Sequence, residues 1–155
     1  MIELARDSDG PQIVAITAKA GVFTEEEVDT VRELWGDSRQ GEESGYVFLV
    51  AREGEAVLGY TCFGPRSLTE GTFDLYWLAV DPSAQGRGIA RALIERAEQE
   101  VRQRGGRLLI LETSGTPAYE PARRLYSSCS YRIEAVIRDF YHPGDDLYLY
   151  SKHLV

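Results

Sequence analysis

Cysteine is scarce in this chain. Cys62 and Cys129 are its only two, far apart and in no metal-binding or redox spacing, which excludes a disulfide scaffold and a cysteine-based zinc site. Long apolar runs are missing as well: nowhere do 18 apolar residues follow one another, and the opening "MIELARDSDG" has no apolar signal core. The expectation is a cytoplasmic protein with free thiols and no membrane partner. Basic residues are outnumbered, 17 Lys and Arg against 25 Asp and Glu, for a net charge of −8, and this disfavours nonspecific nucleic-acid binding. Repeats, low-complexity tracts and linker-like stretches are absent. What remains is 155 residues, 43% hydrophobic, the length of a single compact domain spanning 1–155 with enough apolar surface for its own core.

The pattern along the chain predicts a mixed α/β domain. Ile2–Arg6 reads as a short strand. A helix follows with Ser8 or Asp9 as its cap and Gly21 as its stop. In "TEEEVDTVRELWGD", Thr24 and Glu27 form a capping box, acids fill the first turn, and Gly36 is the expected end. Two β-rich runs around Glu53-Gly54-Glu55 predict a hairpin, and "TFDLYWLAV" is a further strand closed by Asp81-Pro82. Ile89, Leu93, Ile94, Ala97 and Val101 form one helical stripe, stopped by Gly105-Gly106. "RLLILET" is apolar enough for a central strand, "PARRLYSSCSY" is a short helix with Pro121 in its first turn, and "YRIEAVI" and "LYLYSKHL" are strands joined by the loop "RDFYHPGDD". The order is β-α-α-β-β-β-α-β-α-β-β, and the unit over 72–113 implies a right-handed parallel crossover.

The segment between Asp81 and the long helix holds the most specific signal. Gly86 and Gly88 admit positive φ and close approach to the backbone, and the free amides of a helix start complete an anion cradle. No acid caps this helix, and Arg87 and Arg91 add positive charge. The dinucleotide fingerprint lacks its third glycine here, and no Gly-Lys-Ser/Thr is present, which weighs against a nucleotide-binding regulator.

"LAVDPSAQGRGIARALI" resembles the acyl-CoA motif of the GNAT superfamily of N-acyltransferases: Gln or Arg, two residues, Gly, one residue, then Gly or Ala, met by Gln85, Gly88 and Ala90. "ARRLYSSCSY" resembles the family's later Ala-x-x-Leu/Phe-Tyr segment through Ala122, Leu125 and Tyr126. The element order agrees over essentially the whole chain. The resemblance implies a central mixed sheet of six to seven strands flanked by helices, with two parallel central strands splayed apart. It also implies acetyl-CoA as cosubstrate, its pyrophosphate held by Gln85, Gly86, Arg87, Gly88, Ile89, Ala90 and Arg91. Its pantetheine arm would pair with the backbone of Leu78, Ala79 and Val80 like an added strand and be contacted by Tyr119, Ala122 and Tyr126.

Acyl transfer from a thioester to an amine needs a proton acceptor, a donor for the developing oxyanion and an acid for the departing thiolate. Tyr126 matches the family's thiolate acid, and the backbone N–H of Leu78 the oxyanion donor. Strand alternation places Asp74, Tyr76, Leu78 and Val80 on one face, and Asp74 falls where several family members carry a glutamate acting as base through water. Glu112, at the end of the neighbouring strand, is the rival base. Phe23, Tyr76, Glu112 and Tyr141 are the expected acceptor contacts, and Asp74, Glu112, Asp145 and Asp146 form an acidic pocket for a cation if they converge.

The chain departs from the family at two places. Tyr119 stands where many members have an asparagine, and Ser130 where a glycine usually precedes the last aromatic. "HPGDD" with His142 is a polar turn rather than a metal site, Cys62 and Cys129 are buried apolar thiols rather than nucleophiles, and Arg96, Arg102 and Arg104 are a solvated helix face. The expected function is an N-acetyltransferase acting on a primary amine of a small molecule or peptide, by direct attack in a ternary complex. The alternative is a non-catalytic acyl-CoA sensor. The apolar C-terminal strands could also pair two copies into a homodimer.

Overall fold

Seven strands in the order β1-β2-β3-β4-β5-β7-β6 make one mixed sheet, seen in a computed structural model that describes residues 1–155, the side chain of Glu42 excepted. In chain order the elements are β1 (Ile2–Leu4), α1 (Gly10–Lys19), α2 (Glu25–Ser38), β2 (Val47–Glu53), β3 (Ala56–Pro65), β4 (Thr72–Val80), α3 (Ile89–Gln103), β5 (Leu108–Ser114), α4 (Glu120–Ser128), β6 (Arg132–His142) and β7 (Asp145–His153). β4 and β5 are parallel neighbours, and all other neighbouring strands run antiparallel. The predicted element order and the mixed α/β class hold throughout.

Helices cover both faces. On one, Leu93, Ile94, Ala97 and Val101 of α3 bury against Leu49, Phe63, Phe73, Leu75, Leu109 and Leu111, and Tyr126 and Cys129 of α4 join them. On the other, Ile13 and Ile16 of α1 and Val31 of α2 bury against Phe48, Val50, Tyr60 and Cys62. Both cysteines are buried and free, and burial pushes the Cys62 thiol up, which keeps it protonated and inert.

The local rules are visible at several helix ends. Thr24 accepts from the Glu27 amide at 3.2 Å while the Glu27 carboxylate accepts from the Thr24 amide at 3.0 Å, the predicted capping box. Gly36 does not end α2, which runs on to Ser38: a single glycine near a helix end costs too little to stop it. Asp9 does not cap α1 with its side chain. Its buried carboxylate accepts from the Arg6 amide at 2.7 Å and from Arg52 at 2.6 Å, and Arg52 also reaches Glu3. Nor is "RDFYHPGDD" one loop, since β6 continues to His142 and turns only at Pro143-Gly144. The arginine face of α3 is partly engaged too: Arg96 donates to the Ile2 carbonyl and Arg102 to the Leu154 carbonyl. Ser130 adopts φ +71, the left-handed conformation that explains a glycine preference at that position.

Leu111 is 1% exposed at the centre of the α3-side core. Leu111→Ala should lower unfolding free energy by about 3 kcal/mol, measured by urea denaturation, because the rigid strands around it cannot close the cavity.

Candidate active site

Two irregularities in β4 build the site. The first is its separation from β5. Thr72–Leu75 pair with Leu108–Leu111, and there the parallel ladder ends, while Glu112–Ser114 continue to pair only with β7. Residues 76–80 therefore present one backbone edge without a strand partner on the β5 side. The predicted splay is present.

The second is a bulge. Phe63 of β3 lies opposite Leu75 and Cys62 opposite Trp77, so Tyr76 is the extra residue. The expectation that Asp74, Tyr76, Leu78 and Val80 share a face fails for this reason. Past the bulge, Leu78 packs with the α3-side cluster, while Trp77 and Ala79 pack with α1 and α2. Asp74, opposite Gly64, lies on the α1–α2 side with Tyr76. The bulge thus separates Leu78, toward α3 and α4, from Asp74, toward α1 and α2.

The glycine loop adjoins the free edge. Asp81 accepts from the Ser83 amide at 3.0 Å and its hydroxyl at 2.8 Å, which fixes the Pro82 turn and holds the Asp81 carboxyl below its usual range. Gly86 and Gly88 take φ of +78° and +77°, as their residue type allows. Ile89 and Val80 meet over Gly59: their methyls stand 3.2 and 3.3 Å from where a Cβ on that glycine would lie, so α3 begins against the end of β4. From Gly88 through Arg91 no backbone amide donates to a protein acceptor among the described residues, and the first intrahelical bond runs from Ala92 to Gly88. Gly88 provides no side-chain cap, and no acid lies in the first turn. A run of converging free N–H groups at a helix start suits a phosphate or pyrophosphate. Arg87 is paired with Glu53 at 2.7 Å and Arg91 donates to Ser128 at 2.7 Å, so both stand beside the loop on exposed, exchangeable partners.

Tyr126 lies on the α3–α4 face with Leu78. It packs edge-on against Tyr150 at 5.6 Å and Tyr131 at 6.5 Å, and its hydroxyl bonds to no protein group among the described residues. Burial raises its pKa above the ordinary 10 of a phenol, so it carries its proton at any physiological pH. Tyr119 donates to the Val22 carbonyl at 3.1 Å, tying the turn before α4 to the α1–α2 connection, and burial lifts it to about 12. That bond occupies the hydroxyl expected at the pantetheine. Ala122 is partly buried beneath it on α4.

The other side of β4 is a polar cleft. Phe23 packs edge-on against Trp77 at 5.2 Å beside the α1–α2-side core. Tyr76 meets Tyr46 edge-on at 5.6 Å, and burial pushes Tyr76 to about 12, with Asp74 adding to the shift. Tyr141 is also raised to about 12 by burial, and the carboxylates of Glu112, Asp145 and Glu27 add to it. The acids converge only in part. Asp145 accepts from Ser114 at 2.5 Å, whereas Asp146 is turned to the Asp139 amide at 3.0 Å and serves the β6–β7 hairpin.

Asp74 is committed elsewhere than expected. Arg66 grips both of its oxygens, Nε at 2.8 Å and Nη2 at 2.7 Å, and the same Nη2 lies 4.0 Å from Glu112. The Asp74 side chain is 8% exposed and that of Glu112 47%, so Glu112 is the carboxylate open to an incoming group. Arg66, Tyr46 and Glu27 were missed in the sequence. The signal for Arg66 was its place in the short β3–β4 connection, which folds it back on Asp74.

The acetyltransferase (GNAT) family profile matches residues 12–131. A solved GNAT-family structure from Desulfovibrio desulfuricans superposes with a TM-score of 0.97 at 39% identity, over 100% of this chain and 99% of that one. An L-methionine sulfoximine/L-methionine sulfone acetyltransferase of Salmonella typhimurium is 30% identical over 125 residues, 78% of this chain and 70% of its own length. A ribosomal protein bS18-alanine N-acetyltransferase of Escherichia coli is 40% identical over 72 residues, 46% of this chain and about half (47%) of that protein. The free edge of β4, the unbonded amides ahead of α3 and these likenesses converge: the chain belongs to the GNAT family of acetyltransferases, and acetyl-CoA is its cosubstrate.

Proposed function

We propose that this protein is an N-acetyltransferase that acts on a primary amine by direct attack within a ternary complex. The observation that carries the reading is the run of unbonded amides from Gly88 to Arg91 behind the Gly86 turn, set where β4 has left β5. These groups fit a diphosphate, and the unpartnered edge of Leu78, Ala79 and Val80 fits an extended amide-bearing arm. The bound cosubstrate supplies an acetyl group already activated as a thioester.

The protein's own groups do the rest. The Leu78 N–H is the donor for the carbonyl oxygen as charge develops on it. Tyr126 holds a proton on an otherwise unbonded hydroxyl and delivers it to the departing sulfur. Glu112, rather than the Arg66-held Asp74, takes the ammonium proton directly or through water. Glu27, Glu112 and Asp145 around Tyr141 favour a cationic acceptor on the α1–α2 side. Relatives act on different amines by name, a sulfur-containing amino-acid analogue in one case and a protein alanine in another, so the scaffold alone leaves the acceptor open.

Two buried thiols without disulfides support a cytoplasmic setting, and no helix is long and apolar enough to cross a membrane. A homodimer belongs to the same reading. Edge strand β6 leaves Ile133, Val136, Ile137, Phe140 and Tyr141 between 40% and 50% exposed, an edge that a second copy would cover.

Acetyl-CoA at a hundredfold over its Kd should stabilise the fold by about 2.7 kcal/mol, read as a rise in Tm, with ATP and NAD giving no comparable rise. Tyr126→Phe should keep that rise and lose about 100-fold in kcat, measured as release of coenzyme A thiol. Because burial raises the Tyr126 pKa, its acid form persists above the ordinary phenol range, so kcat should show no alkaline fall up to pH 10. A fall centred below that pH would remove Tyr126 from the role. Ile137→Lys should convert a dimer to a monomer in sedimentation analysis with acetyl-CoA stabilisation retained.

A further inference from the structure

Arg66 poses a problem of its own. It is a cation in a cleft otherwise furnished with carboxylates, and it stands half-exposed while gripping a nearly buried acid. A guanidinium has five N–H donors in a planar fork. Asp74 takes one from Nε and one from Nη2, which leaves Nη1 with no acceptor among the described residues and the Nη1–Nη2 edge open. Asp74 thus locks the guanidinium plane, and Arg66 lines a cavity of about 350 Å³ together with Asp74, Ser44, Tyr46, Ser67 and Tyr76. An immobilised edge of this form matches a carboxylate with two parallel hydrogen bonds.

The spacing narrows the ligand further. Arg66 Nη2 stands 4.0 Å from Glu112 Oε1, so a positive and a negative protein group sit side by side, the arginine of the pair lining the cavity. A molecule that answers both must carry a carboxylate and an ammonium separated by about one carbon. We propose that the acceptor is a free α-amino acid, its carboxylate on the open edge of Arg66, its amine beside Glu112, and its side chain in the cavity between Tyr46 and Tyr76. The hydroxyls and aromatic edges lining that cavity suit a neutral side chain of middle size. A diamine has no group for Arg66, and a peptide N-terminus places a neutral amide there.

The inference rests on the acetyl-transfer reading and adds the substrate class to it. The amine nitrogen forms a bond to the acetyl carbon as the carbon–sulfur bond breaks. Nitrogen loses two protons in all, one before attack to Glu112 and one from the new amide. Sulfur gains one, from Tyr126, which is reprotonated through water, and one proton is released to solvent. In this scheme Asp74 is a positioning residue, because it acts through Arg66.

The test is release of coenzyme A thiol with neutral L-α-amino acids, methionine, leucine and glutamine among them, each beside its decarboxylated amine and its α-amide. At least one amino acid should exceed both of its partners by about a hundredfold in kcat/KM, since a charged hydrogen-bonded pair is left unmade in the analogues. Arg66→Gln should collapse that preference to within about tenfold by raising KM for the amino acid, with Arg66→Lys recovering part of it and acetyl-CoA stabilisation unchanged in both. Asp74→Asn should raise the same KM and leave kcat near wild type.

Equal use of amide, amine and acid by the wild-type protein would overturn the proposal whatever the variants do. So would an Arg66→Gln loss shared equally by all three, which would make Arg66 a structural partner of Asp74 and no more. Turnover of amines or peptides alone sinks only this substrate class. Absence of both acetyl-CoA stabilisation and thiol release sinks the transferase reading as well.

Discussion

Beyond Leu75 the two parallel strands at the middle of the sheet stop bonding to each other, and the backbone groups of residues 76–80 that face β5 have no strand partner. Pairing on the outer side of each strand is what keeps this opening in place. On one flank β3 continues to pair with β4 up to Val80. On the other, β7 holds β5 through Ser114. Both strands are anchored on their outer sides, and the gap between them is what the anchoring leaves. The bulge at Tyr76 belongs to the same constraint. One extra residue changes which side chains face which helices, and it divides the site into a face toward α3 and α4 and a face toward α1 and α2.

Charge follows that division. Toward α3 the positive potential is made by backbone: amides from Gly88 to Arg91 with no protein acceptors among the described residues, at the start of a helix that carries neither cap nor acid. Backbone donors suit this task, since they are rigid and cannot fold back onto the protein. The two nearby arginines occupy exposed partners that an anion can displace. Toward α1 and α2 the potential is made by side chains, with Glu27, Glu112 and Asp145 near Tyr141, and Arg66 held by Asp74. The raised phenols of Tyr76, Tyr119, Tyr126 and Tyr141 report the low polarity into which these groups are packed, and all four stay protonated at neutral pH.

Most of the fold was legible in the chain because its rules are local. The stripe Leu93, Ile94, Ala97 and Val101 repeats with the helical period, Thr24 and Glu27 are three residues apart, and the apolar run 108–111 is too uniform for a surface strand. Each was found as read. The glycine loop was legible for the same reason: positive φ at Gly86 and Gly88 is a property of residue type, and an uncapped helix start shows in the residues that are missing. Where reading failed, either a distant partner had intervened or a local signal was too weak to decide. Asp9 has the chemistry of a cap, but Arg52 lies forty-three residues on and takes its carboxylate. Gly36 has the chemistry of a stop, yet it sits inside α2, which continues to Ser38.

The amino-acid order by itself determined the elements, their sequence along the chain and the positive-φ glycines of the loop before α3, because each depends on contacts within a few residues or on one residue's own chemistry. Only the tertiary structure decided which carboxylate is held and which is free. That choice turns on a register shift between Cys62 and Phe63 and on an arginine folding back across a turn. Neither leaves a periodic trace, since a bulge inserts one residue into an alternation that reads the same on either side of it, and a bidentate ion pair depends on the placement of two side chains in space rather than on their spacing in the chain.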